Sequence, residues 1–64
     1  MITLTRLDER VVVVNAEVIK MIESTPDTIV TLLNGDSLIV RESVDEVVRR
    51  AIDYARQIRG FVVR

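Results

Sequence analysis

Two pairs of adjacent carboxylates, Asp8-Glu9 and Asp45-Glu46, are the groups best suited to chemistry in this chain. Paired acids can share general acid and base work. The hydroxyls of Ser24, Ser37 and Ser43 are candidate nucleophiles. A serine nucleophile needs a base beside it, yet the chain has no His and one Lys, Lys20. Cys is absent too, so a thiolate or imidazole metal site cannot form and only weak carboxylate ligands remain. Structural roles account for these residues better. Asp8-Glu9 falls in a turn, Asp45-Glu46 in the first turn of a helix where acids complement the dipole, and Ser43 at a helix cap. Gly35 and Gly60 stand alone, so there is no glycine-rich phosphate loop. The reading is of a protein that is not an enzyme and needs no cofactor.

Arg49, Arg50, Arg56 and Arg59 could form a nucleic-acid patch, but Asp45, Glu46 and Asp53 lie within a turn of them. That interleaving reads as a solvated helix face. Nine basic residues against ten acidic ones leave a net charge of -1, and nucleic-acid binders usually carry a basic excess. Tyr54 and Phe61 are the only aromatics, too few for base stacking. Nucleic acid is therefore an improbable partner, and a small β-barrel regulator of gene expression is the alternative reading. No stretch is long and apolar enough to span a bilayer, and the start of the chain does not resemble a signal peptide. The expected location is the cytoplasm.

The elements that must position these groups follow from hydrophobic period. Ile2 to Thr5 alternates as a half-buried strand, and Val11 to Val14 reads as a strand buried on both faces. The two form a hairpin through Leu7-Asp8-Glu9-Arg10. Asn15 ends the second strand and caps a short helical turn. Val18 to Ser24 is a third strand, with Val18 and Ile22 on one face and Ile19 and Met21 on the other. Thr25-Pro26-Asp27-Thr28 is a turn, Pro26 fixing φ and Asp27 accepting a local hydrogen bond. Ile29 to Leu33 is a fourth strand, Asn34-Gly35 a type I′ hairpin turn, and Ser37 to Arg41 a fifth strand. Ser43 and Glu46 have the spacing of a capping box. Val44, Val47, Val48, Ala51, Ala55 and Ile58 form the apolar stripe of the helix they open. Asp45–Arg49 and Glu46–Arg50 are i,i+4 pairs, and Gly60 is placed to end the helix.

The expectation is an α+β protein: an antiparallel β-meander of about five strands followed by one C-terminal helix. Residues 1–60 make one domain, and 61–64 an apolar tail. One helix cannot cover both faces of the sheet. Either the sheet curls into a small barrel, or its second face packs on another chain. Ile19, Met21 and Ile39, with Phe61 and Val62 from the tail, are the candidate face for self-association or a partner. A 64-residue chain without disulfide or metal also lacks the usual staples of small domains. A homo-oligomer is therefore expected.

Five short motifs then stand in a specific order. Ile2-Thr3-Leu4-Thr5-Arg6-Leu7 opens the series. Asn15-Ala16-Glu17-Val18-Ile19 and Ile22-Glu23-Ser24-Thr25-Pro26-Asp27-Thr28 follow. Leu33-Asn34-Gly35 and Val40-Arg41-Glu42-Ser43 complete it. Over residues 1–58 the chain resembles the FlbD/SwrD family of small flagellar proteins. The family usually has an Asn-Gly-like first turn where this chain has Asp8-Glu9-Arg10. The resemblance implies a cytoplasmic protein of the flagellar system, associated with motility and with motor power during swarming, whose partners would be flagellar stator or motor proteins. It implies no catalytic residues and no cofactor.

Overall fold

The computed structural model describes residues 1–24 and 26–61, with 59–61 described as helix backbone only. The elements are β1 (Ile2–Thr5), β2 (Val11–Val14), a 3-10 turn (Ala16–Val18), β3 (Ile19–Ser24), β4 (Thr28–Leu32), β5 (Ser37–Val40) and α1 (Val44–Phe61). The strands form two antiparallel sheets, β1-β2 and β3-β4-β5, and do not close into a barrel. A single bridge, Arg6 to Val40, joins them. The expected five-strand meander and C-terminal helix are therefore present, and the open sheet decides against the curled barrel.

Both tight hairpins use one device. In the first, the Glu9 N–H donates to the Arg6 carbonyl at 2.9 Å and the Arg6 N–H to the Arg10 carbonyl at 2.8 Å. In the second, Gly35 donates to Leu32 at 2.9 Å and Leu32 to Asp36 at 2.8 Å. Each is a three-residue loop: a type I turn followed by a left-handed residue that makes a bulge. The left-handed residues are Glu9, at φ 75°, and Gly35, at φ 95°. In each loop a side chain fixes the exit strand, Asp8 accepting from the Arg10 N–H at 3.1 Å and Asn34 from the Asp36 N–H at 3.0 Å. The type I′ expectation is thus corrected. Asn34 is not left-handed, because the third loop residue relieves it of that requirement. Asn15 caps the 3-10 turn as expected, its side chain accepting from the Glu17 N–H at 3.0 Å.

The core is small. Ile2 and Leu4 of β1, Val14 of β2, Val30 of β4, Val40 of β5 and Val47 of α1 are buried, with Val12, Ile19, Ile22, Leu32, Leu38 and Tyr54 among the residues packed around them. Val11 and Val13 are 64% and 65% exposed, so β2 is not buried on both faces. The hairpin has two strands, and nothing among the described residues covers its outer side. A bulge between Ile19 and Met21 resets β3, so that Ile19 turns into the core beside Ile22. That overturns the pairing of Ile19 with Met21 on one face; the alternation was counted across Lys20, the extra residue.

The helix is set by Ser43, whose hydroxyl accepts from the Glu46 N–H at 3.1 Å. The reciprocal half of a capping box is missing, because the Glu46 carboxylate is taken by arginines. Val47 is buried and Val44 and Ala51 half-buried, while Ile58 on the same stripe is exposed. At about 1.5 Å per residue the helix outruns the sheet it covers. It runs through Gly60 to Phe61, which corrects the reading of Gly60 as the residue just past its end. A glycine in a final turn costs about 1 kcal/mol against alanine and does not by itself stop a helix. Val62 to Arg64 lie outside the described residues.

Two outcomes test this account. Leu4 is fully buried, so Leu4→Ala should lower the unfolding free energy by about 2–5 kcal/mol in a denaturant titration. A left-handed non-glycine residue carries about 1–2 kcal/mol of steric cost, so Glu9→Gly should leave stability equal or raise it by up to about 1 kcal/mol. Both changes are read against the midpoint of the unaltered chain.

Candidate functional site

The outward face of β3-β4-β5 follows from its register. Met21, Thr31 and Ser37 form one cross-strand row, and Glu23, Ile29 and Ile39 the next. Met21 and Ile39 are 44% and 43% exposed, and Ile29 between them is half-buried. Of the residues expected on this face, Met21 and Ile39 are there and Ile19 is not. The side chain of Phe61 and all of Val62 lie outside the described residues. Leu7, from the first turn, extends the apolar area. It lines a shallow recess with Arg6, Asp8, Ser37 and Ile39, and a second one with Pro26, Asp27, Thr28, Val40 and Arg41. Pro26 and Asp27 thus occupy an exposed connection beside the first turn. The turn and cap residues Asn15, Asn34, Gly35 and Ser43 act locally, as described above.

Four arginines, Arg10, Arg41, Arg49 and Arg50, are held by carboxylates of the chain. Arg10 pairs with Asp8 at 2.9 Å and Arg41 with Glu9 at 2.5 Å. Arg49 binds Glu46 at 2.5 Å and Asp53 at 2.9 Å, and does not pair with Asp45 as its spacing suggested. Glu46, one turn before Arg49, presents two oxygens to two guanidiniums and takes both. Arg50 reaches furthest. It binds Glu46 at 2.7 Å, the Thr3 carbonyl at 2.6 Å and Glu42 at 3.3 Å.

Glu42 is the centre of this group. Its side chain is 11% exposed. Its two oxygens accept from the Thr5 N–H at 2.9 and 3.1 Å, while the Arg41 N–H donates to the Thr5 carbonyl at 2.8 Å. One carboxylate therefore ties the end of β1 to the segment between β5 and α1, and through Arg50 to the helix. Sequence reading missed it because its partners lie 37 and 8 residues away. A polar residue between strand and helix gives no signal of such a contact.

The electrostatics match this geometry. Burial alone would raise the Glu42 pKa, but the Thr5 N–H and the Arg50 charge outweigh it and hold the group below its usual value. Hydrogen bonds from Arg49 and then Arg50 depress Glu46 to about 2. Arg10, chiefly through its backbone N–H, lowers Asp8. Glu46 in turn raises Arg49. These are the shifts of structural ion pairs: each group is driven further into its charged form, and none is moved toward neutrality for acid–base work. Among the described residues no group of three or more acids could hold a metal ion, and no helix is long and apolar enough to cross a membrane.

The geometry is that of a small α+β protein with a two-stranded and a three-stranded antiparallel sheet, a C-terminal helix, an exposed apolar sheet face and a network of arginine–carboxylate pairs. The family model for FlbD, flagellar and swarming motility proteins, matches residues 1–59. The chain belongs to the FlbD family. No match was found among curated proteins or among solved structures.

The depressed carboxylates fix a pH dependence. A group whose folded pKa lies below its unfolded value stabilises the fold above the unfolded pKa, and that contribution is lost as pH falls through the folded one. Glu46 drops from 4.5 to about 2, so stability should decline between those values as acid is added. Glu46→Gln should flatten the decline when thermal midpoints are measured across that range. An equal decline in the variant would assign the loss to other groups.

Proposed function

We propose that this FlbD-family chain is a small non-enzymatic interaction module of the bacterial flagellar system. It acts in the cytoplasm, associates with itself, and supports the flagellar motor or its stator, most visibly in swarming. The observation that carries the reading is the exposed apolar face of β3-β4-β5, where Met21 and Ile39 flank Ile29 and adjoin Leu7. Apolar surface of this kind, rimmed by polar residues such as Glu23 and Asp8, favours contact with another protein. The arginine–carboxylate pairing weighs against the alternative of a nucleic-acid-binding regulator, because guanidiniums held by acids are poorly placed to neutralise phosphates.

Deletion of the gene, with flagella counted and the rotation of tethered cells recorded, tests this directly. The expected result is a normal number of flagella with reduced torque and impaired swarming, restored by the unaltered gene. Loss of the flagella themselves would move the action to assembly or expression, and unchanged motility would contradict the reading. The double variant Met21→Asp, Ile39→Asp should fold, since both side chains already meet solvent, and should fail to restore torque.

A further inference from the structure

The backbone of β2 has an edge with no partner among the described residues. The Arg6 N–H to Arg10 carbonyl bond sets the phase of the β1-β2 ladder. Bonded and non-bonded residue pairs alternate along antiparallel strands. Leu4–Val12 and Ile2–Val14 are therefore the bonded pairs, and Thr3–Val13 and Thr5–Val11 the non-bonded ones. The other side of β1 agrees: Thr5 bonds Glu42 and Arg41, and the Thr3 carbonyl accepts from Arg50, all away from β2. By the same phase the N–H and C=O groups of Val11 and Val13 point outward from β2. No described backbone or side-chain group pairs with them, and their side chains are the 64% and 65% exposed valines.

Natural sheets protect such edges with lysine, proline, a bulge or an inward charge. Of the two edge strands of the other sheet, β3 carries Lys20 at its bulge and Glu23 on its outward face, and β5 lies beside the first turn, with Arg6 bridged to Val40 and Leu7 and Asp8 next to Ser37 and Ile39. β2 reads Val11-Val12-Val13-Val14, with no charge, proline or bulge.

We infer that the outer edge of β2 pairs with the same edge of a second copy of this chain, antiparallel about a two-fold axis through Val12. This deepens the homo-oligomer clause of the proposed function by naming the surface. The two outward residues are two apart with Val12 between them, so a two-fold through Val12 sets Val11 opposite Val13 of the second copy, and the reverse. Both become bonded pairs, four N–H···O bonds form, and four exposed valines meet on one face. The pairing turns a two-stranded sheet, marginal by itself, into a four-stranded one. Charge does not oppose it: Arg10, the charged residue next to the edge, is neutralised within its own chain by Asp8, and the chain carries a net charge of only -1. The edge is complementary to itself, which is what an isologous contact requires.

Light scattering on the full chain, from micromolar to near-millimolar concentration, should show a mass rising toward twice 7.3 kDa. The amides of Val11 and Val13 should become protected from hydrogen exchange as concentration rises, although neither has a partner among the described residues. Val13→Pro removes an outward donor and leaves the β1-β2 ladder intact, which is where proline is tolerated in sheets. It should weaken association at least about tenfold with the circular dichroism spectrum unchanged. Val13→Lys should do the same without touching the backbone. Met21→Lys, on the other sheet, should leave association unchanged. A mass of one chain throughout, with Val11 and Val13 amides unprotected, overturns the inference, as does association that survives both Val13 variants or is abolished by Met21→Lys. Loss of torque on deletion of the gene, together with a one-chain mass, would retain the flagellar reading and reject this interface.

Discussion

The fold depends on one carboxylate. The two sheets share a single bridge among the described residues, and the segment Arg41 to Ser43, which holds Glu42, leads from β5 into the helix. Glu42 accepts the Thr5 N–H with both oxygens and lies 3.3 Å from Arg50, whose guanidinium also binds the Thr3 carbonyl. These bonds satisfy the outward backbone groups of β1 where the first sheet would otherwise end. A nearly buried charge is tolerable only when paired and hydrogen-bonded, and Glu42 is both. The small apolar cluster from Ile2 to Val47 can then be assembled from five elements, β1, β2, β4, β5 and α1, that would each be too short to bury it alone.

The same arrangement shapes what is left at the surface. Arginines at 10, 41, 49 and 50 are held by acids of their own chain, which leaves those four guanidiniums poorly placed to neutralise phosphates. The fold also leaves apolar and backbone surface uncovered among the described residues: the outward sheet face at Met21 and Ile39, and the outer edge of β2. Both suit contact with protein.

Much of the fold was legible in the residues because local signals sufficed. Strand alternation, the Asn15 cap, the Asn34-Gly35 loop and the Ser43 start all depend on neighbours a few positions away. Errors arose where a count or a distant partner decided. The extra residue at Lys20 reversed Ile19, and no periodicity argument detects a bulge of that kind. Four valines in a row suggested burial on both faces, but the hairpin is an edge pair with its outer face uncovered. Ser43 and Glu46 have capping-box spacing, yet the competing guanidiniums of Arg49 and Arg50 take the carboxylate. Glu42 itself gave no sign, since its role exists only once residues 37 apart are neighbours.

Hydrogen exchange at the Thr5 amide reads the Glu42 tie itself. This amide, at the end of a four-residue strand and without a backbone acceptor, should be protected nearly as well as the amide of buried Leu4. Glu42→Ala, which removes the acceptor, should increase its exchange rate far more than that of Val30 in the other sheet. A Thr5 amide that exchanges as fast in the unaltered chain as in the variant would contradict the account, and the joining of the two sheets would then have to rest on the Arg6–Val40 bridge and apolar packing alone.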